Sequence, residues 1–77
     1  MTLKKVLIID DDDLSIFLIG MTIEEIAFIK SHDSVTSGWE ALNYLNEKDT
    51  APDLILVDLG NGKHHIITKY DIIGSIK

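Results

Sequence analysis

The sequence predicts an α/β domain built on a short parallel sheet, and three observations carry that reading. The runs Val6-Leu7-Ile8-Ile9 and Leu54-Ile55-Leu56-Val57 are continuously apolar, and each ends on an aspartate, Asp10 and Asp58. Runs of this length and composition suit strands covered on both faces, as in parallel sheets. Between them the spacing turns helical twice, from Leu14 to Ala27 and again after Ser37. The resulting order of strand, helix, strand, helix, strand closes through right-handed crossovers, which put the first strand in the centre and give the order 2-1-3.

Each element has its own signal. Lys4 to Ile9 forms the central strand. Asp11 to Asp13 stand at the start of the first helix, where negative charge suits the helix dipole. Leu14, Phe17, Leu18 and Met21 make one stripe of this helix, and Ile16, Ile19, Ile23 and Ile26 make an outer stripe on roughly the opposite side. A helix apolar all round needs cover on more than one side. Phe28 to Thr36 reads as a weaker strand whose polar residues suit an edge position.

Ser37-Gly38-Trp39-Glu40 has the form of a capping box, in which the Ser37 hydroxyl accepts from the Glu40 amide while Glu40 reaches back. Trp39 reads as a packing residue at the start of this helix, which continues through Ala41, Leu42, Tyr44 and Leu45. Ala51-Pro52-Asp53 ends it and leads into the strand Leu54 to Asp58.

The tail has two readings. Asn61-Gly62 is a strong hairpin signal, because both central residues of the favoured turn need positive φ, and it would fold Lys63 to Thr68 back antiparallel on the third strand, followed by a short helix. The competing reading makes Ile66, Tyr70, Ile73 and Ile76 the buried stripe of one helix.

Composition narrows the classes of function. A chain of 77 residues makes a single domain, 1–77, and one this small is marginally stable alone. It has no cysteine, which removes disulfides and thiolate chemistry, so further support comes from packing, a bound metal or a second subunit. A net charge of -6, with seven lysines and no arginine, argues against nucleic acid as a partner. The apolar runs are too short for a bilayer, and the Met-Thr-Leu-Lys-Lys start lacks the apolar core of a signal peptide, so a cytoplasmic protein away from membranes is expected.

The chemistry lies in the aspartates. Two parallel strands ending in carboxylate bring acidic groups to one edge of the sheet, where open α/β folds bind ligands. Carboxylates held close repel unless a positive group lies between them, and Mg²⁺ is the simplest such partner. The plainer reading of Asp10 to Asp13 is a solvated loop and helix start. His32, His64 and His65 lack metal-ligand spacing and read as surface residues. Gly60-Asn61-Gly62-Lys63 lacks the spacing of a phosphate loop and reads as a turn.

Val6-Leu7-Ile8-Ile9-Asp10-Asp11-Asp12, Ser37-Gly38-Trp39-Glu40-Ala41-Leu42 and Pro52-Asp53-Leu54-Ile55-Leu56-Val57-Asp58-Leu59 together resemble the receiver domain of two-component response regulators. The resemblance covers residues 1–59, in the family's order. It implies a flavodoxin-like three-layer sandwich, here truncated, in which Asp58 accepts a phosphoryl group from a histidine kinase. It also implies that Asp11 is a direct Mg²⁺ ligand, Asp10 a direct or water-mediated one, Asp58 both nucleophile and ligand, and the Gly60 carbonyl a backbone ligand.

The pattern departs from the family after Leu59. Residues 60–77 replace several further helices and strands, and the Ser/Thr at the end of the family's fourth strand has no counterpart. Ile67-Thr68-Lys69-Tyr70-Asp71 resembles the family's fifth strand, with Lys69 at the phosphoryl-contacting position. In a hairpin, Lys69 lies on the order of 16 Å from the acidic edge at ~3.3 Å per residue, so it would act only from a partner chain; Lys63 or His64 would be nearer. Two functions follow. One is a phosphoacceptor with a Mg²⁺ pocket, impaired by truncation. The other is a non-catalytic truncated or engineered receiver derivative that mainly folds and self-associates. The expected homodimer, with a tail swap as one form, buries the outer isoleucine stripe or the open side of the third strand.

Overall fold

The computed structural model describes residues 2–47, 51–58 and 64–68. They form β1 (Val6–Ile9), α1 (Asp13–Glu24), β2 (His32–Val35), α2 (Gly38–Glu47), β3 (Leu54–Asp58) and β4 (His64–Thr68) in one sheet of order β2-β1-β3-β4. Both neighbours of β1 run parallel to it. β4 is antiparallel to β3, with Asp58 opposite His64 and Leu54 opposite Thr68. The hairpin reading of the tail therefore holds through Thr68; the Asn61-Gly62 turn and the short helix after it lie outside the described residues. Because β4 covers the outer edge of β3, that edge is closed to the dimer contact expected there.

Alternation along β1 divides the core. Val6 and Ile8 point to one face, where they meet Ile23 with Ile16, Ile19 and Ile29 around it. Leu7 points to the other and meets Val35, Ala41 and Ile55, with Tyr44 packed against them. One helix thus covers each face of the sheet. Val6, Leu7 and Ile8 are fully inaccessible to solvent, as a central strand requires.

The orientation of α1 is the reverse of the expected one. The isoleucine stripe packs on the sheet, whereas Leu14, Phe17, Leu18 and Met21 are 49–63 % exposed. Both stripes are apolar, so composition alone does not orient this helix; the β-branched stripe is the one that fits against Val6 and Ile8. Asp12 caps the helix by accepting from the Ser15 amide at 3.3 Å and the Ser15 hydroxyl at 2.7 Å. At its other end, bonds from Ile26 to Ile23 and from Ile29 to Ile26 tighten the chain into turns before the expected end at Ala27.

Trp39 does not pack as its size suggests. It is 78 % exposed, because Ala41 faces the sheet and a residue two positions away on a helix lies on the opposite side. The Glu40 amide donates to Ser37 Oγ at 3.1 Å, as the capping sequence predicts. The Glu40 carboxylate reaches one residue further back, accepting from the Thr36 amide and hydroxyl, and the hydroxyl bond chiefly holds its pKa below the usual range.

The edge strand is shorter than Phe28 to Thr36. Leu3 and Ile29 make an isolated bridge, and regular pairing resumes only at His32. Ser31 Oγ intervenes by donating to the Lys4 carbonyl at 2.8 Å. Asp53 fastens the start of β3 to β1, its carboxylate accepting from the Lys4 amide at 2.7 Å and the Lys5 amide at 3.3 Å. Its own amide donates to the Lys5 carbonyl at 2.9 Å. Among the described residues no helix is long and apolar enough to cross a membrane.

Candidate functional site

Parallel register brings the two strand-ending aspartates together. Ile9 is the register partner of Val57, so Asp10, just past β1, and Asp58, the last residue of β3, stand side by side although 48 positions separate them. β4 then places His64 opposite Asp58. Asp10, Asp58 and His64 each offer a ligand atom, and these atoms all lie within 4.8 Å of one another.

Asp10 is the buried member at 3 % exposure. Its Oδ1 accepts from the Asp12 amide at 2.9 Å, and His64 Nε2 lies 2.8 Å from its Oδ2. Burial pushes the Asp10 carboxyl up. The Asp12 amide, the hydrogen bond and charge of His64, and the contact with Asp58 outweigh that push, so Asp10 is held below the usual carboxylate range.

A cleft of about 330 Å³ opens beside the carboxylates, lined by Asp10, Asp11, Thr36, Ser37, Gly38 and Asp58 among others. Asp11 is exposed on this cleft and stands outside the trio of converging groups. Thr36 and Ser37 bring hydroxyls and Gly38 brings an uncrowded backbone at the start of α2. A second cleft, of about 400 Å³, lies between α1 and the opposite end of the sheet, where Val6, Ile23, Ile29 and Leu54 line it. It is almost wholly apolar and holds no group able to do acid–base or metal chemistry.

Of the residues singled out by sequence, Asp10 and Asp58 converge, and Asp11 borders the same cleft. Gly60, Lys63 and Lys69 lie outside the described residues. β4 carries the chain away from the acidic edge, since Thr68 pairs with Leu54 at the far end of β3. His64, which the hairpin reading puts nearer the acidic edge than Lys69 but whose spacing reads as that of a surface histidine, is a member of the site. Its closeness to the turn is what returns it to the carboxylates in the hairpin. His65 is exposed, and His32 bonds Glu24 at 3.1 Å.

Two carboxylates fit a hard divalent cation such as Mg²⁺. The imidazole at 2.8 Å from one of them fits it less well, because it brings nitrogen where Mg²⁺ prefers oxygen. Comparison with protein-family models, curated proteins and solved structures finds no match to this chain.

Proposed function

We propose that this protein is a receiver-like phosphoacceptor module of two-component signalling, with a flavodoxin-like sheet and a cation-binding acidic pocket. One observation carries the reading: Asp10 and Asp58, distant in sequence, meet at the carboxyl end of adjacent parallel strands beside an open polar cleft. Asp58 is the acceptor and Asp10 its buried partner, held ionised by the Asp12 amide and His64. In the reaction, a carboxylate oxygen of Asp58 attacks the phosphorus of the donor. A phosphorus–oxygen bond to Asp58 forms as the donor's bond to phosphorus breaks, and the leaving group departs with the electron pair. Asp10, Asp11 and Asp58 would hold Mg²⁺, which supplies positive charge to offset that of carboxylate and phosphate. Ser37, just before α2, offers its hydroxyl hydrogen to the incoming oxygens, its oxygen accepting from the Glu40 amide.

The test is phosphorylation by acetyl phosphate or phosphoramidate with Mg²⁺ present, followed by intact mass. The wild type should gain one phosphoryl group and Asp58→Asn none. An unmodified wild type at saturating donor ends the proposal. A histidine kinase is the physiological donor on this reading.

A second reading draws on the His64–Asp10 contact, which sets the protein's own imidazole against the acidic pocket. On it, the chain is a non-catalytic receiver derivative whose main property is self-association. The exposed stripe Leu14, Phe17, Leu18 and Met21 is then the face that meets a second copy, since it is a continuous apolar strip on one side of α1. This stripe takes the place of the isoleucines, which are already packed on the sheet.

A further inference from the structure

We infer that the pocket is a mixed oxygen–nitrogen site, formed by Asp10, Asp58 and His64, that takes a first-row transition divalent cation of the Zn²⁺ class in preference to Mg²⁺. This rests on the cation-site half of the reading above and does not require Asp58 to accept a phosphoryl group. Three strand ends build the trio, β1 through Asp10, β3 through Asp58 and β4 through His64, and all three ligand atoms lie within 4.8 Å of one another. Residues on adjoining strands of one sheet are better fixed than residues on a loop.

Ligand chemistry decides the cation. Mg²⁺ demands near-octahedral oxygen and keeps several waters, whereas imidazole nitrogen with carboxylate oxygen suits Zn²⁺ and its neighbours. His64 is placed to serve, with Nε2 already directed at Asp10 Oδ2 from 2.8 Å. Ligand atoms at about 2.0 Å around a tetrahedral ion stand roughly 3.3 Å apart, so this pair opens by only about half an ångström when a cation replaces the shared proton. Three protein ligands leave a fourth position, the arrangement of open zinc sites. The cleft beside Thr36, Ser37 and Gly38 is where water or a substrate oxygen would reach it.

Calorimetric titration of the full chain with ZnCl₂ and, separately, MgCl₂ tests this, on the wild type, His64→Ala, His64→Gln and His65→Ala. Zn²⁺ should bind the wild type about a hundredfold more tightly than Mg²⁺. Both His64 variants should weaken Zn²⁺ by about tenfold or more and leave Mg²⁺ within twofold, with His65→Ala matching the wild type. Far-UV circular dichroism identifies any variant that has lost the sheet, and the other His64 variant then decides.

The inference is overturned if Zn²⁺ binding survives both His64 changes, or if Mg²⁺ weakens in parallel. Absence of binding by either cation in the wild type removes this inference and the Mg²⁺ pocket together. Zn²⁺ bound through His64 in a protein that acetyl phosphate leaves unmodified sustains the inference and removes only the phosphoacceptor.

Discussion

His64 Nε2 stands 2.8 Å from Asp10 Oδ2, a contact that ties the edge strand β4 to the central strand β1 across the end of β3. The two partners lie 54 positions apart in sequence. The buried carboxylate of the sheet is thereby satisfied by the last strand to join it.

Acid should weaken the fold through Asp10. Its carboxyl is held low in the folded protein, so its contribution is complete above the unfolded carboxyl's pKa and is lost as pH falls through the folded one. Urea midpoints of the wild type should therefore drop below pH ~4 more steeply than those of Asp10→Asn, the two curves converging in acid. Parallel curves would assign the acid sensitivity to other carboxylates.

Alkali acts through Tyr44. Its hydroxyl donates to Asp33 Oδ2 at 2.7 Å, and Lys5 Nζ lies 3.1 Å from the same oxygen. Burial first, then the bond to Asp33 and its charge, push the phenol up to about 12. The contribution is therefore fully present below the unfolded phenol's pKa near 10 and is lost as pH rises through about 12. Tyr44→Phe should cost about 0.5–1 kcal/mol at pH 7 and flatten the loss of stability above pH ~10; absorbance at about 295 nm follows the ionisation directly.

The two faces of α1 should respond differently. Ile23 is 5 % exposed in the core, so Ile23→Ala should lower stability by about 2–4 kcal/mol. Phe17 is 62 % exposed, and Phe17→Ser should leave the urea midpoint nearly unchanged while shifting sedimentation towards monomer. Equal losses of stability at both positions would contradict the observed orientation of the helix.

Asp53 offers a test away from the site. Removing a carboxylate that accepts from the Lys4 and Lys5 amides should cost about 1–2 kcal/mol in Asp53→Ala, with Asp53→Asn recovering part of it through its remaining amide oxygen. Hydrogen exchange at those two amides reads the effect locally.

These predictions divide according to what local sequence encodes. Asp10 and Asp58 are visible because each ends an apolar run, and parallel pairing of two such runs needs no further information to bring their ends together. The Ser37 cap and the Asp12 helix start are equally local. The facing of α1 is not, because Leu14, Phe17, Leu18 and Met21 repeat with the same period as the isoleucines and no polar stripe tells them apart. Trp39 misleads for a related reason: its size suggests packing, while its angular distance from Ala41 turns it to solvent. The roles of Asp53, Asp33 and His64 depend on partners 11 to 54 positions away, and only the assembled sheet reveals them.

The pairing of Asp58 with His64 makes the connecting segment, residues 59–63, a ruler for the site. Side chains on β4 alternate between faces, so shifting β4 by one residue against β3 would turn every β4 side chain over and put a residue other than His64 opposite Asp58. The register of β4 thus governs which imidazole, if any, the aspartates meet. A library varied only in the length of this segment would tune the pocket without altering a single group that lines it.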